Sequence, residues 1–241
     1  MAIDEYLFNL CHRHKQGFFR LYSWDKPSFS FGVSQKISRA IAVDYITGQG
    51  YAYVRRLTGG KTVLHHHEIT YAVVSSEDIF FKEHDLYQSY MLISRVLVNA
   101  FNKLGIDAYL STGSPAHLSR SHNPCFSFPT THEIEIDGKK IVGSAQKRDR
   151  QALLQHGSIP ISMDYDLYAR GTQTAGDILK SKMTTLSDVC RHTPEQLASA
   201  LIQGFQEFIG SPFEAQCPSF EDPEVSSLEE KYSSHSWNFS R

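Results

Sequence analysis

The stretch Pro124–Gln146, P-C-F-S-F-P-T-T-H-E-I-E-I-D-G-K-K-I-V-G-S-A-Q, decides how this chain is read. H-E-I-E-I alternates with the period of a strand, Asp137-Gly138 has the composition of a two-residue hairpin turn, and K-I-V-G-S-A-Q-K resumes as a second strand. Cys125 opens the segment beside Phe126, Phe128 and Pro129, and Lys140 rides the returning strand, so the hairpin can fold an amine back toward a thiol. A cysteine reacts as thiolate and is mostly protonated near neutral pH unless a cation or base adjoins it. Lys140 is the nearest candidate for that neighbour; alternation turns it inward and leaves Lys139 at the surface. Glu133 and Glu135 alternate with isoleucines and read as the solvated face of the first strand.

Working outward, strands and helices intermix. Ile3 to Cys11 carries apolar residues at helical spacing, F-F-R-L-Y-S-W and S-F-S-F-G read as strands, and a modest helix is expected over Ala40–Thr47 before Gly48 and Gly50. Y-A-Y-V-R-R, K-T-V-L-H and I-T-Y-A-V-V-S follow as strands. Asp85 caps a long helix that Gly105 stops. A-L-L-Q-H-G-S-I-P-I is a further strand, and Thr193-Pro194-Glu195 starts an amphipathic helix to about Ile209. The pattern predicts an α/β (α+β) fold, a mixed sheet with surrounding helices over 1–210, and a short helical extension over 211–241 packed on it.

Bulk properties narrow the function classes. In 241 residues, 41% hydrophobic with formal net charge -2, nothing marks a nucleic-acid-binding field. No apolar run is long enough for a membrane span, and the acidic first residues do not read as a signal peptide. Cys11, Cys125, Cys190 and Cys217 lack metal-type spacing, so reduced thiols in a cytoplasm are expected.

Two further motifs bear on chemistry. R-R-L-T-G-G-K-T, Arg55–Thr62, ends like a phosphate-binding loop, yet Arg55 stands where that loop needs its first glycine, and the segment enters a strand rather than a helix. The paired glycines let main-chain N–H groups approach a carbonyl or oxyanion, or they merely turn a tight hairpin. Arg55 and Arg56 read either as a solvated strand end or as cations that meet an acidic partner. In His65-His66-His67 only alternate rings share a face and no third donor is evident, so a metal is not expected; His65 can face a pocket behind the glycines. His156 reads as structural or supporting.

The ordered segments M-A-I-D-E, F-S-F-G-V-S-Q (Phe29–Gln35), R-R-L-T-G-G-K-T-V-L-H (Arg55–His65), I-T-Y-A-V (Ile69–Val73), C-F at Cys125, G-K-K-I-V-G-S-A-Q (Gly138–Gln146), Q-H-G-S-I-P (Gln155–Pro160) and K-Y-S-S (Lys231–Ser234) resemble the biotin/lipoate protein ligase superfamily, and within it the LipM-type octanoyltransferases. The resemblance covers nearly the whole chain, with H-H-H standing where the family more often has His followed by Asp. It implies Cys125 and Lys140 as catalytic residues. It further implies an acyl tunnel drawing on Arg56, Thr58, Gly59, Gly60, Val63 and His65 from the Gly-Gly segment, Val142, Gly143, Ser144 and Ala145 from the lysine-bearing strand, and His156 and Gly157 from the next. The implied partners are octanoyl-acyl carrier protein as donor and a lipoyl domain or glycine-cleavage protein H as acceptor, served by a monomer without cofactor. An ATP-dependent lipoate ligase or an amidotransferase between lipoyl domains are the alternatives. Cys125, its spacing to Lys140, and a tail expected to be too short for an accessory domain favour the transferase.

Overall fold

A computed structural model of the chain describes residues 1–111, 133–215 and 221–240. Cys125 and the aromatic turn around it lie outside the described residues, as does Cys217.

Among the described residues the strands form two sheets. β1 (Gly17–Tyr22), β5 (Glu68–Ser76), β9 (Ala152–Pro160), β8 (Lys139–Arg148), β7 (Ile134–Ile136) and β6 (Tyr109–Leu110) make an antiparallel six-stranded sheet in that order. β3 (Ala52–Arg55), β2 (Ser28–Phe31) and β4 (Val63–His65) make the second, with β2 parallel to β3 and antiparallel to β4. β5 and β9 are buried along their whole length, as strands covered on both faces must be. Alternation sorts their side chains. Tyr71 and Val73 pack into the main core with α5 (Leu86–Lys103) and α9 (Pro194–Ile209), while Ala72 and Val74 face α1 (Ala2–Arg13).

Local chemistry sets several boundaries. Asp85 caps α5: its carboxylate accepts from Gln88 N at 2.7 Å while Gln88 Oε1 accepts from Asp85 N at 2.9 Å. Asp137 and Gly138 both adopt positive φ, 49° and 73°, the backbone of the two-residue turn that joins β7 to β8. The single helix expected over Ala40–Thr47 is instead two, α2 (Ile37–Ala40) and α3 (Val43–Gly48). The break is tertiary: Ala42 N donates to Gly171 O at 2.8 Å, on α6 (Tyr165–Thr172), and Ile41 enters the second core. The short helices α4 (Glu77–Phe80), α7 (Gly176–Lys182) and α8 (Leu186–Val189) complete the connections.

Residues 221–240 fold as α10 (Pro223–Ser233) and α11 (His235–Asn238). α10 lies along α1, where Tyr6 donates to Asp222 at 2.9 Å and Lys231 pairs with Glu5 at 2.7 Å. α11 closes against β3 through Arg55. That guanidinium is fully buried, which corrects the reading of Arg55 as a solvated cation: it donates to the carbonyls of Val33 (2.9 Å), Gln35 (2.7 Å), Trp237 (3.1 Å) and Asn238 (2.8 Å).

Candidate active site

Where the small sheet meets β5, β8 and β9, a small cavity of about 20 Å³ is lined by Met1, Ser30, Arg56, Val63, His65, Thr70, Gly143, Ser144, Ala145, His156, Gly157 and Ser158. Small residues make the floor because the strands come close there. Gly157 lies opposite Tyr71 on one side and Ser144 on the other, and a Cβ on it would stand 2.5 Å from the Tyr71 ring and 2.9 Å from Ser144 Oγ. Gly32 is excluded from bearing a side chain in the same way, since its Cβ would meet Gly60 O at 2.1 Å.

Two buried polar systems flank the cavity. In the first, Arg56 Nη1 donates to Ser30 Oγ at 2.9 Å and Ser30 Oγ contacts His65 Nε2 at 2.6 Å. A hydroxyl that accepts from arginine has its proton to give to the imidazole, which puts the His65 proton on Nδ1, 2.8 Å from Glu68 Oε1. Glu68 also accepts from Ser158 at 2.5 Å and from Thr70. Trp24 stacks on the His65 ring at 4.2 Å and donates to Thr70 at 2.9 Å. The ring that edges the cavity is therefore clamped on its face and at both nitrogens.

In the second, His156 Nδ1 lies 3.0 Å from Asp4 Oδ2, and Thr58 Oγ1 lies 2.7 Å from His156 Nε2. Asp4 also accepts from Arg20 at 2.7 Å and Tyr22 at 2.9 Å. Burial pushes the Asp4 carboxyl up, but the His156 hydrogen bond and the surrounding positive charge prevail and hold it well below the usual carboxylate range. Burial dominates for His156 and keeps its imidazole below its ordinary value despite Asp4. A neutral His156 that donates to an ionised Asp4 and accepts from Thr58 satisfies every partner. Thr58 is thereby fixed at the start of the glycine turn. Arg56 Nη2 holds the turn from inside by donating to Gly59 O and Lys61 O, both at 2.9 Å.

Arg56, Val63, His65, Gly143, Ser144, Ala145, His156 and Gly157 thus meet at one cavity, with Thr58, Gly59 and Gly60 immediately behind its wall. Gly60, at φ 89°, carries the left-handed turn. Val142 does not line this cavity; it is buried in the main core. Arg56 is also corrected as a surface contact for a partner, because it is 4% exposed and spent on internal acceptors. Ser30, Glu68, Thr70, Ser158 and Asp4 were not singled out in the sequence, although Asp4 lies in M-A-I-D-E and Ser30 in F-S-F-G.

Lys140 is buried while Lys139 is exposed. It belongs to β8 three residues before Gly143, and its Nζ lies 2.5 Å from Glu133 Oε2. Glu133 is buried too, which corrects its reading as part of a solvated face. The register of β7 against β8 shifts between Ile134 and Glu135, so simple alternation does not extend back to Glu133. Glu135 is half-buried.

Small residues and polar side chains fixed by internal hydrogen bonds thus line one small cavity. The fold places the chain among lipoate-ligase-like α/β domains: a lipoate-protein ligase A bound with ATP superimposes with TM-score 0.80 at 24% identity, covering 99% of this chain and 92% of that one. A bipartite lipoate protein ligase from Thermoplasma acidophilum gives TM-score 0.80 at 22% identity, covering 99% and 89%. Residues 1–206 match the lipoyl protein ligase A/B catalytic domain, and the chain belongs to that family. Among curated relatives it is similar to the octanoyltransferases LipM of Bacillus cereus, 34% identical over 100% of this chain and 93% of that protein, and of Kyrpidia tusciae, 33% identical over 99% and 93%.

Proposed function

We propose that the chain is an octanoyltransferase of lipoate biosynthesis that acts in the cytoplasm, taking octanoyl from the thioester of acyl carrier protein and delivering it to a lysine of a lipoyl domain or of glycine-cleavage protein H. The full-length likeness to octanoyltransferases supports the reaction type. The observation that carries the residue-level reading is the burial of Lys140, ion-paired, on the strand whose next residues wall the cavity. Cys125 is the nucleophile in this reading. Its thiolate, paired with the Lys140 ammonium, attacks the octanoyl carbonyl; the carrier thiolate leaves and takes the ammonium proton, which yields octanoyl-Cys125 and neutral Lys140. The acceptor amine then attacks octanoyl-Cys125, Lys140 takes up the proton released, and the amide departs with the thiolate–ammonium pair restored. Thioester exchange of this kind needs no ATP. The His65 and His156 systems keep the cavity wall rigid while the acyl chain is bound.

The test is intact-mass measurement of the protein mixed with octanoyl-acyl carrier protein. An octanoyl adduct that Cys125→Ala removes is expected. An active wild-type enzyme without an adduct, or labelling of a lipoyl domain only from octanoate plus ATP, refutes the reading. Labelling only from an already octanoylated protein H would identify an amidotransferase instead.

A further inference from the structure

Lys140 is held by an acid that is itself anchored. The two side chains are 4% and 6% exposed, with Nζ and Oε2 2.5 Å apart. Both backbones are pinned from other parts of the fold. Ser111 N donates to Glu133 O at 2.8 Å and Glu133 N donates to Ser111 Oγ at 3.2 Å. On the other side Thr184 N donates to Lys140 O at 2.9 Å, and Lys140 bridges to Met183 in parallel pairing. A buried ammonium is strongly disfavoured unless an anion compensates it. A carboxylate fixed in this way holds the Lys140 amine in place.

The pair also lies within electrostatic reach of the cavity wall. Burial, with the Glu133 charge adding to it, pushes the Tyr71 phenol up to about 12. Tyr71 OH stands 2.7 Å from Ser144 Oγ at the cavity wall. The other ionisable groups on the elements around Lys140 are differently placed. Glu135, its register partner on β7, is half-buried, and Asp177, Lys180 and Lys182 on α7 are exposed.

We infer that Glu133 is the positioning residue for Lys140, holding it as an ammonium until the acyl thioester arrives; the inference rests on the transfer reading above. Without the carboxylate, Lys140 gives up its proton at lower pH, and the thiolate–ammonium form needed for acylation is lost earlier as pH rises.

The experiment follows octanoyl-adduct formation from octanoyl-acyl carrier protein by intact mass across neutral to alkaline pH, for wild type, Glu133→Gln, Glu133→Asp and Lys140→Met, with a thermal melt of each. Glu133→Gln is expected to move the alkaline limb down by about one pH unit or more, whereas Glu133→Asp keeps the limb near that of wild type and only slows the reaction. A purely structural role would lower the melt and the rate without moving the limb. An unmoved limb in Glu133→Gln, with Lys140→Met inactive, overturns the inference and leaves the transfer reading standing. Wild-type rate and profile in Lys140→Met overturn the assignment of Lys140, and the inference with it. If Glu133→Gln does not fold, Glu133→Asp decides: wild-type rate together with a wild-type limb overturns the positioning role.

Discussion

Replacing Gly157 by alanine tests whether the closeness of β5, β8 and β9 is what shapes the cavity. The new methyl would stand 2.5 Å from Tyr71 Cε1 and 2.9 Å from both Gly143 O and Ser144 Oγ. One of these is backbone in a paired strand. The tyrosine cannot easily retreat either, since it is fully buried and its hydroxyl is tied to Ser144 at 2.7 Å and Gln155 at 3.0 Å. Overpacking of this kind costs about 1–3 kcal/mol, and a Tyr71 or Ser144 hydroxyl left without its partner adds about 1–3 kcal/mol. The expected loss is about 2–6 kcal/mol, or a fall in Tm of roughly 5–20 °C for a chain of this size. The assay is a thermal melt and a urea titration, with Gly59→Ala as control, because a Cβ there meets nothing within 4 Å and should change stability by less than about 0.5 kcal/mol. A Gly157→Ala protein as stable as wild type would refute the argument that this glycine is there for close approach.

The other expectations concern pH and the tail. Because His156 binds its proton less tightly in the folded protein, the unfolded chain takes up protons first; stability is full above about pH 6.5 and declines as pH falls below it. Urea midpoints measured against pH should show that decline, and His156→Gln should flatten it. Asp4, whose carboxyl is depressed, contributes stability that is present above about pH 4 and lost in stronger acid. Arg55→Lys keeps the charge but loses the planar fork that serves carbonyls on both sides, at a cost of at least about 2 kcal/mol. Hydrogen exchange in α11 should quicken, and unchanged protection there would contradict the tie.

How much of this was legible in the sequence depended on whether the deciding interaction was local. The β7–β8 turn, the Asp85 cap and the strand I-T-Y-A-V-V-S rest on residues a few positions apart, and they stand where the pattern put them. That Arg56, His65, Gly143 and His156 share one cavity is a grouping the sequence offered only through the family resemblance. What pattern reading missed was set by partners far along the chain. Arg55 and Arg56 look like a solvated pair until acceptors from residues 32–35, 59–61 and 237–238 are supplied. Asp4 has nothing around it to suggest that it meets a histidine 152 positions away. Glu133 was misread because a register shift separates it from the alternating run that follows.

The tie between Arg55 and α11 also bears on the timing of synthesis. The backbone of Arg55, next to the cavity arginine, is held by residues translated 182 and 183 positions later. At about 5–20 residues per second, roughly 10–40 s pass between the two events. During that interval β3 lacks the ties that Trp237 and Asn238 make to Arg55. A nascent chain can therefore collapse around its large sheet well before the strand that leads into the cavity arginine is tied down from α11.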